Sequence, residues 1–194
     1  MSTDSSTPTD EEATPDPAEV AALRERVDEL EQSLAELDDG DDQKQMTIIA
    51  TKGTLDMAYP PLILASTAAA FGWDVVVFHT FWGLEILHED NAEELKLSAV
   101  GNPNMPMPNA IAALPGMDAL ATRMMRNKID DNGTATIGEL IELSLDQGVD
   151  LQACQMTIEL MDYDEDDFFD GVTTGVGAAT ALNHMADADV QLLI

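Results

Sequence analysis

Four consecutive apolar residues, Val75-Val76-Val77-Phe78, limit what this chain can fold into more than any other stretch. Apolar side chains on both faces are what a strand needs when helices cover both sides of its sheet, and that is the setting of a central parallel strand. Asp74 to His79 is therefore predicted as such a strand. The segments around it alternate in the same manner. Met46 to Thr51 reads as a short strand, Lys52-Gly53-Thr54 as a turn, and Ala58 to Phe71 as a helix rich in Ala and Leu. Phe81 to His88 reads as a short helix, and Asn102-Pro103-Asn104-Met105-Pro106-Met107-Pro108 as loop. Met117 to Asn127 is helical. Thr136 with Glu139 makes a capping box for a helix reaching about Gln147. Val149, Leu151 and Ala153 alternate as one face of a further strand. A short helix follows from Gln155 to Asp162, then a helix from Val176 to Ala186 and a last strand from Val190 to Ile194. At least four strands separated by helices predict an α/β fold: a mainly parallel sheet, helices on both faces and right-handed crossovers. Ligands of such sheets bind at the carboxyl ends of the strands. Lys52-Gly53, His79-Thr80 and Cys154 all fall there.

The first 45 residues are of another kind. Residues 1–16 are a Ser/Thr/Pro/acid tail with too little apolar surface to order itself. In 17–38, Val20, Leu23, Val27, Leu30, Leu34 and Leu37 recur at spacings of three and four. That is a heptad seam with Val20, Val27 and Leu34 at a and Leu at every d, a pattern that favours a parallel pair of helices. Glu19 with Arg24 and Arg26 with Glu31 give flanking pairs of opposite sign. A three-stranded bundle also fits, as does one amphipathic helix lying on its own domain. Residues 39–45, which include Asp39-Gly40-Asp41-Asp42, read as a linker, and 46–194 as the α/β domain.

The chain's 38 acids and 8 bases give a formal net charge of -30. Residues 46–194 alone hold 23 of the acids and 5 of the bases, so the domain is acidic in its own right. Such a field disfavours nucleic acid and anionic membranes as partners. Scarce Lys beside abundant Asp and Glu points to halophilic adaptation, in which salt screens the self-repulsion. The N-terminus has neither a basic nor an apolar signal region. The uncharged stretch Met57 to Trp73 is short for a membrane span and contains Pro60 and Pro61. A soluble cytoplasmic protein is expected.

Cys154 is the only cysteine. It excludes an internal disulfide, CxxC redox chemistry and any zinc site built on several cysteines. At a strand-to-helix junction a thiol meets unpaired backbone N–H groups, which favour the thiolate. Free cysteine is also among the most buried residue types, so an inert structural thiol is the alternative. Other signals carry less. Lys128 at the first position spoils an EF-hand-like run ending at Glu139. Asp162, Asp164 and Asp166 read as a solvated acidic face. The methionines at 105, 107, 117, 124 and 125 suit packing better than a soft metal. Arg123, Arg126 and Lys128 form the one basic cluster of the domain, either a solvated helix face or a source of local positive potential. His79, His88 and His184 show no ligand spacing, and no nucleotide or serine-hydrolase motif is present.

Phe81-Trp82-Gly83-Leu84, Leu114-Pro115-Gly116-Met117, Thr122-Arg123-Met124-Met125, Ala153-Cys154-Gln155-Met156, Leu160-Met161 and Asp170-Gly171-Val172 occur in this order. Together they resemble the DsrE/DsrF-like family of small sulfur-handling proteins, in its longer peroxiredoxin-like branch, over residues 46–194. The resemblance implies a flavodoxin-like three-layer sandwich and a homo-oligomer. It also implies a role in intracellular sulfur relay, with sulfane sulfur carried as a persulfide on Cys154 and passed to rhodanese-like or TusA-like carriers. Cys154 is the one residue carried over as reactive. Lys52, Gly53, His79, Phe81, Trp82 and Met156 are candidate residues lining its site. Sulfur exchange on a thiolate requires no metal or other cofactor and no second cysteine. Peroxide reduction would leave a sulfenic acid that no second cysteine of this chain resolves. Two readings follow: a sulfurtransferase-like carrier, or a non-catalytic binding or scaffold protein with a structural Cys154 and an N-terminal helix that drives self-association.

Overall fold

The structure is a computed structural model that describes residues 21, 24–29, 43–98 and 116–194. The expected tail (1–16), most of the heptad segment, the start of the linker and the proline-rich loop lie outside those residues. Residues 1–42 and 43–194 form separate units. In the first, residues 24–29 are helical, and Arg26 and Glu29 form an exposed ion pair at 3.1 Å.

The second unit is built on five strands: β1 (Gln45–Ala50), β2 (Asp74–His79), β3 (Asp150–Cys154), β4 (Thr173–Val176) and β5 (Val190–Leu193). Their order across the sheet is β4-β3-β2-β1-β5, and every pairing is parallel. The described helices are α1 (Leu55–Ala70), α2 (Glu89–Ala92), α3 (Met117–Asp131), α4 (Ile137–Asp146), α5 (Gln155–Leu160) and α6 (Ala178–Asp187). A 3₁₀ turn, Phe81–Ile86, follows β2. The chain thus runs outward from β1 to β4 and then crosses back to the far side of β1.

Period-two burial separates two faces. Met46, Ile48, Ala50, Val75, Val77, Leu151 and Ala153 face one way and pack with Leu62, Ala65, Ile141 and Ile158 of α1, α4 and α5 in the main core. Burying each Ile or Leu there contributes roughly 1.5–3 kcal/mol. Phe78 and Cys154 face the other way and meet Ala181 of α6, with Ile49 and Val176 beside them. One face therefore carries most of the helices and the other carries α6, as right-handed crossovers demand when the direction of travel reverses. The three-layer α/β sandwich with a parallel sheet is the architecture the alternation predicts.

Local chemistry sets the element ends. α1 closes on Gly72, whose φ of 80° a side chain would resist, and the Gly72 and Trp73 amides donate to Ala69 and Ala68. The Thr136 capping box is formed in both directions, by Glu139 N donating to Thr136 Oγ1 and Thr136 N to Glu139 Oε2. Four boundaries differ from expectation. α1 starts one turn early, at Leu55, and runs through Pro60 and Pro61. The segment after β2 is a 3₁₀ turn and then α2, not one helix. α3 continues to Asp131. The short strand β4 precedes α6, which begins at Ala178.

Candidate functional site

Cys154 is the last residue of β3 and the N-cap of α5. The crossover from β3 goes to one face through α5, and that from β4 goes to the other through α6. Cys154 pairs with Val176, the last residue of β4. It therefore stands at the carboxyl end of the sheet between two crossovers that leave for opposite faces. The β3–β4 ladder is irregular here: Gln152 pairs with Thr173 but Cys154 with Val176, so β4 spends one extra residue, with Gly175 at φ 73°.

Two hydroxyls complete the surroundings of the sulfur. Thr157, in the first turn of α5, is fully buried; its Oγ1 accepts from the Phe81 amide and lies 3.2 Å from Thr80 Oγ1. Thr80 follows β2, and its amide donates to Ala50 at the end of β1. The ends of three strands are thereby tied together. Burial pushes the Cys154 thiol up, but the Thr157 hydroxyl and amide, the Thr80 hydroxyl and the Met156 amide together outweigh it. They hold the thiol below its ordinary value. Sγ makes no formal capping bond to α5, so these groups act as a polar cradle that favours the thiolate over the thiol. The residue is only 3% exposed.

Glycine makes this wiring sterically feasible. A Cβ on Gly83 would lie 2.3 Å from the Ala50 carbonyl oxygen, and one on Gly53 would lie 2.0 Å from that of Trp82. The 3₁₀ turn can therefore rest directly on the end of β1. Phe81 takes φ 49°, uncommon for a bulky residue, while its amide reaches Thr157.

The candidate lining residues divide into three groups. Met156 and Phe81 reach the sulfur's surroundings through their backbone amides, one beside Cys154 and one on Thr157. Lys52, Gly53 and Trp82 line a cavity of about 750 Å³ at the end of β1, with Glu85 but without Cys154. The polar cradle lies at Cys154 and not in this cavity. His79 is turned away: it pairs with Ala153 on the main-core face, one residue out of phase with Cys154. Its ring is fully buried, and its Nε2 has no partner. Burial lowers its pKa to about 4, partly offset by the Val77 and Gln152 carbonyls, so it is neutral at ordinary pH. Thr157 was not singled out by the sequence; its only signal is a hydroxyl three residues after the cysteine, at the helix position whose amide faces an N-cap side chain.

Among the described residues, no cluster of three or more His, Cys, Asp or Glu is arranged to hold a metal ion, and no helix is long and apolar enough to cross a membrane.

A parallel α/β sheet whose crossovers diverge beside one thiol defines a class of small cysteine-bearing α/β proteins. Residues 42–193 match the DsrE/DsrF/DrsH-like family, and the chain belongs to it. It is 45% identical over 161 residues to the sulfur carrier protein DsrE2 of Allochromatium vinosum, covering 79% of this chain and 99% of that one. It is 31% identical over 156 residues to the uncharacterized protein YrkE of Bacillus subtilis, covering 78% and 97%. The crystal structure of the ychN protein from E. coli aligns at a TM-score of 0.46 and 11% identity, over 78% of this chain and 99% of that one.

Proposed function

We propose that this protein is a sulfur-relay carrier that holds sulfane sulfur as a persulfide on Cys154. The observation that carries the reading is the polar cradle of Thr157, Thr80 and the Met156 amide, which lowers the pKa of the chain's one thiol. The relative named a sulfur carrier, similar over nearly its whole length, supports the same reading. The chemistry is an exchange without net oxidation. The Cys154 thiolate attacks the outer sulfur of a donor persulfide. A new S–S bond forms at Sγ, the donor's own S–S bond breaks, and the donor leaves as a thiolate. An acceptor thiolate then attacks the outer sulfur of the Cys154 persulfide and regenerates the Cys154 thiolate. The partners this chemistry fits are sulfur-carrier proteins with a reactive cysteine, of the rhodanese-like and TusA-like kinds. Self-association through the heptad seam and a cytoplasmic setting complete the proposal.

The second reading, a binding or scaffold protein with a structural thiol, has one observation in its favour: the 3% exposure of Cys154. The pH dependence of Cys154 alkylation separates the two. The carrier reading predicts a thiol titrating below the ordinary cysteine range. A thiol titrating at or above that range supports the structural reading and removes the basis for the carrier.

A further inference from the structure

Sulfur exchange needs a second sulfur to reach Sγ along the bond it will form, and in the folded chain Sγ has almost no open surface. We propose that α6 is a movable cover over Cys154, latched by the contact between His184 and Gln152. This rests on the reading of Cys154 as the sulfur-bearing residue. Ala181 packs on Cys154 and Phe78, and it is the only buried side chain within α6. Leu182 points outward at 65% exposure. Three residues beyond Ala181, on the same side of the helix, His184 Nε2 lies 3.2 Å from Gln152 Nε2. Gln152 shares the sheet face of Cys154, two positions earlier on β3. The amide nitrogen of Gln152 also donates to Asp150 Oδ2 at 2.6 Å, and Thr173 Oγ1 donates to Asp150 Oδ1 at 2.7 Å. The near atom of Gln152 is thus fixed as the donor, and His184 Nε2 accepts. Within one turn of α6, Ala181 seats the helix on the thiol by a methyl group and His184 meets β3 through this polar contact.

The flanking chain suits such a motion. Gly175, at φ 73°, and Gly177, the N-cap of α6, lie just before the helix. The opposite wall of the site is unsuited to opening. There Thr157 is bound to the Phe81 amide and stands beside Thr80, and parting them would dismantle the cradle that favours the thiolate. A helix that lies on β1 and β4 with one buried side chain and one side-chain hydrogen bond to the sheet sits toward the low-stability end of a fold's opening hierarchy. The α5 side keeps the sulfur reactive, and the α6 side decides when it is reached.

The test is the rate of Cys154 alkylation by iodoacetamide on the full chain, followed across sub-denaturing urea, with circular dichroism as the check on folding. His184→Ala removes the latch and is expected to raise the rate about tenfold, the equivalent of about 1.4 kcal/mol. Gly177→Ala stiffens the hinge at a position where a Cβ meets nothing within 4 Å, and is expected to lower it. Both rates should vary little with urea, because a local opening exposes little surface. An unchanged rate in folded His184→Ala overturns the proposal. So does a urea dependence as steep as that of global unfolding, since access would then come from unfolding the whole domain. Iodoacetamide carries no sulfane sulfur, so the outcome is independent of whether Cys154 accepts sulfur.

Discussion

At the scale of single residues, Thr157 is the side chain that joins the end of β2 to the start of α5. Its hydroxyl accepts the Phe81 amide, which leaves its own proton for the sulfur or for Thr80. Hydrogen bonds to charged groups contribute about 1.5–3 kcal/mol. Thr157→Val is therefore expected to raise the thiol pKa and slow alkylation near neutral pH by roughly tenfold, and Thr157→Ser to restore both. The pH profile of alkylation checks this, since a purely structural role would leave the profile in place. His79 gives a second prediction. Its pKa falls from 6.5 to about 4 on folding, so between those values the unfolded chain binds a proton that the folded chain does not. Stability is fully present above pH 6.5 and lost as the pH falls toward 4, by roughly 3 kcal/mol. His79→Leu should flatten this part of the stability profile, as read by urea midpoints at several pH values. Cys154 is legible in the sequence because a strand and a helix meet at it. Thr157 is not, because its partner Thr80 lies 77 residues away and the pair exists only once α5 has folded against the end of β2. The face on which His79 falls is equally hidden: its parity relative to Cys154 depends on the β2–β3 register, which no local pattern supplies.

At the scale of elements, the 3₁₀ turn Phe81–Ile86 does the positioning. It brings the Phe81 amide to Thr157 and sits on β1 through Gly83. Gly83→Ala would place a methyl group 2.3 Å from the Ala50 carbonyl oxygen. A cost of about 1–3 kcal/mol is expected in denaturant unfolding, together with slower alkylation of Cys154 as Thr80 and Thr157 part. The strands with strong apolar patterns and the helix with the Thr136 capping box are legible because their signals are local. β4 is not: it has four residues, lies at the sheet edge and carries Gly175 in a bulge. A tight turn and a true helix also share an apolar spacing over six residues, so the segment after β2 has no signature that separates them.

At the scale of the whole molecule, charge dominates. A net charge of -30 makes the compact state repel itself, and screening falls as the Debye length grows from about 3 Å in molar salt to about 30 Å near 10 mM. Circular dichroism is expected to show loss of helical signal and a lower melting midpoint as salt is removed. A signal constant over that range would rule out salt adaptation. The proposed function requires that Cys154 accept a sulfur atom and give it up. Intact-mass measurement of the full chain tests it most directly, after incubation with a persulfide donor in the absence of reductant and again after addition of an acceptor thiol. The account predicts a gain of one sulfur atom, its loss on addition of the acceptor, and neither change in Cys154→Ala. A chain that shows no adduct, or that carries it equally in Cys154→Ala, would contradict the account.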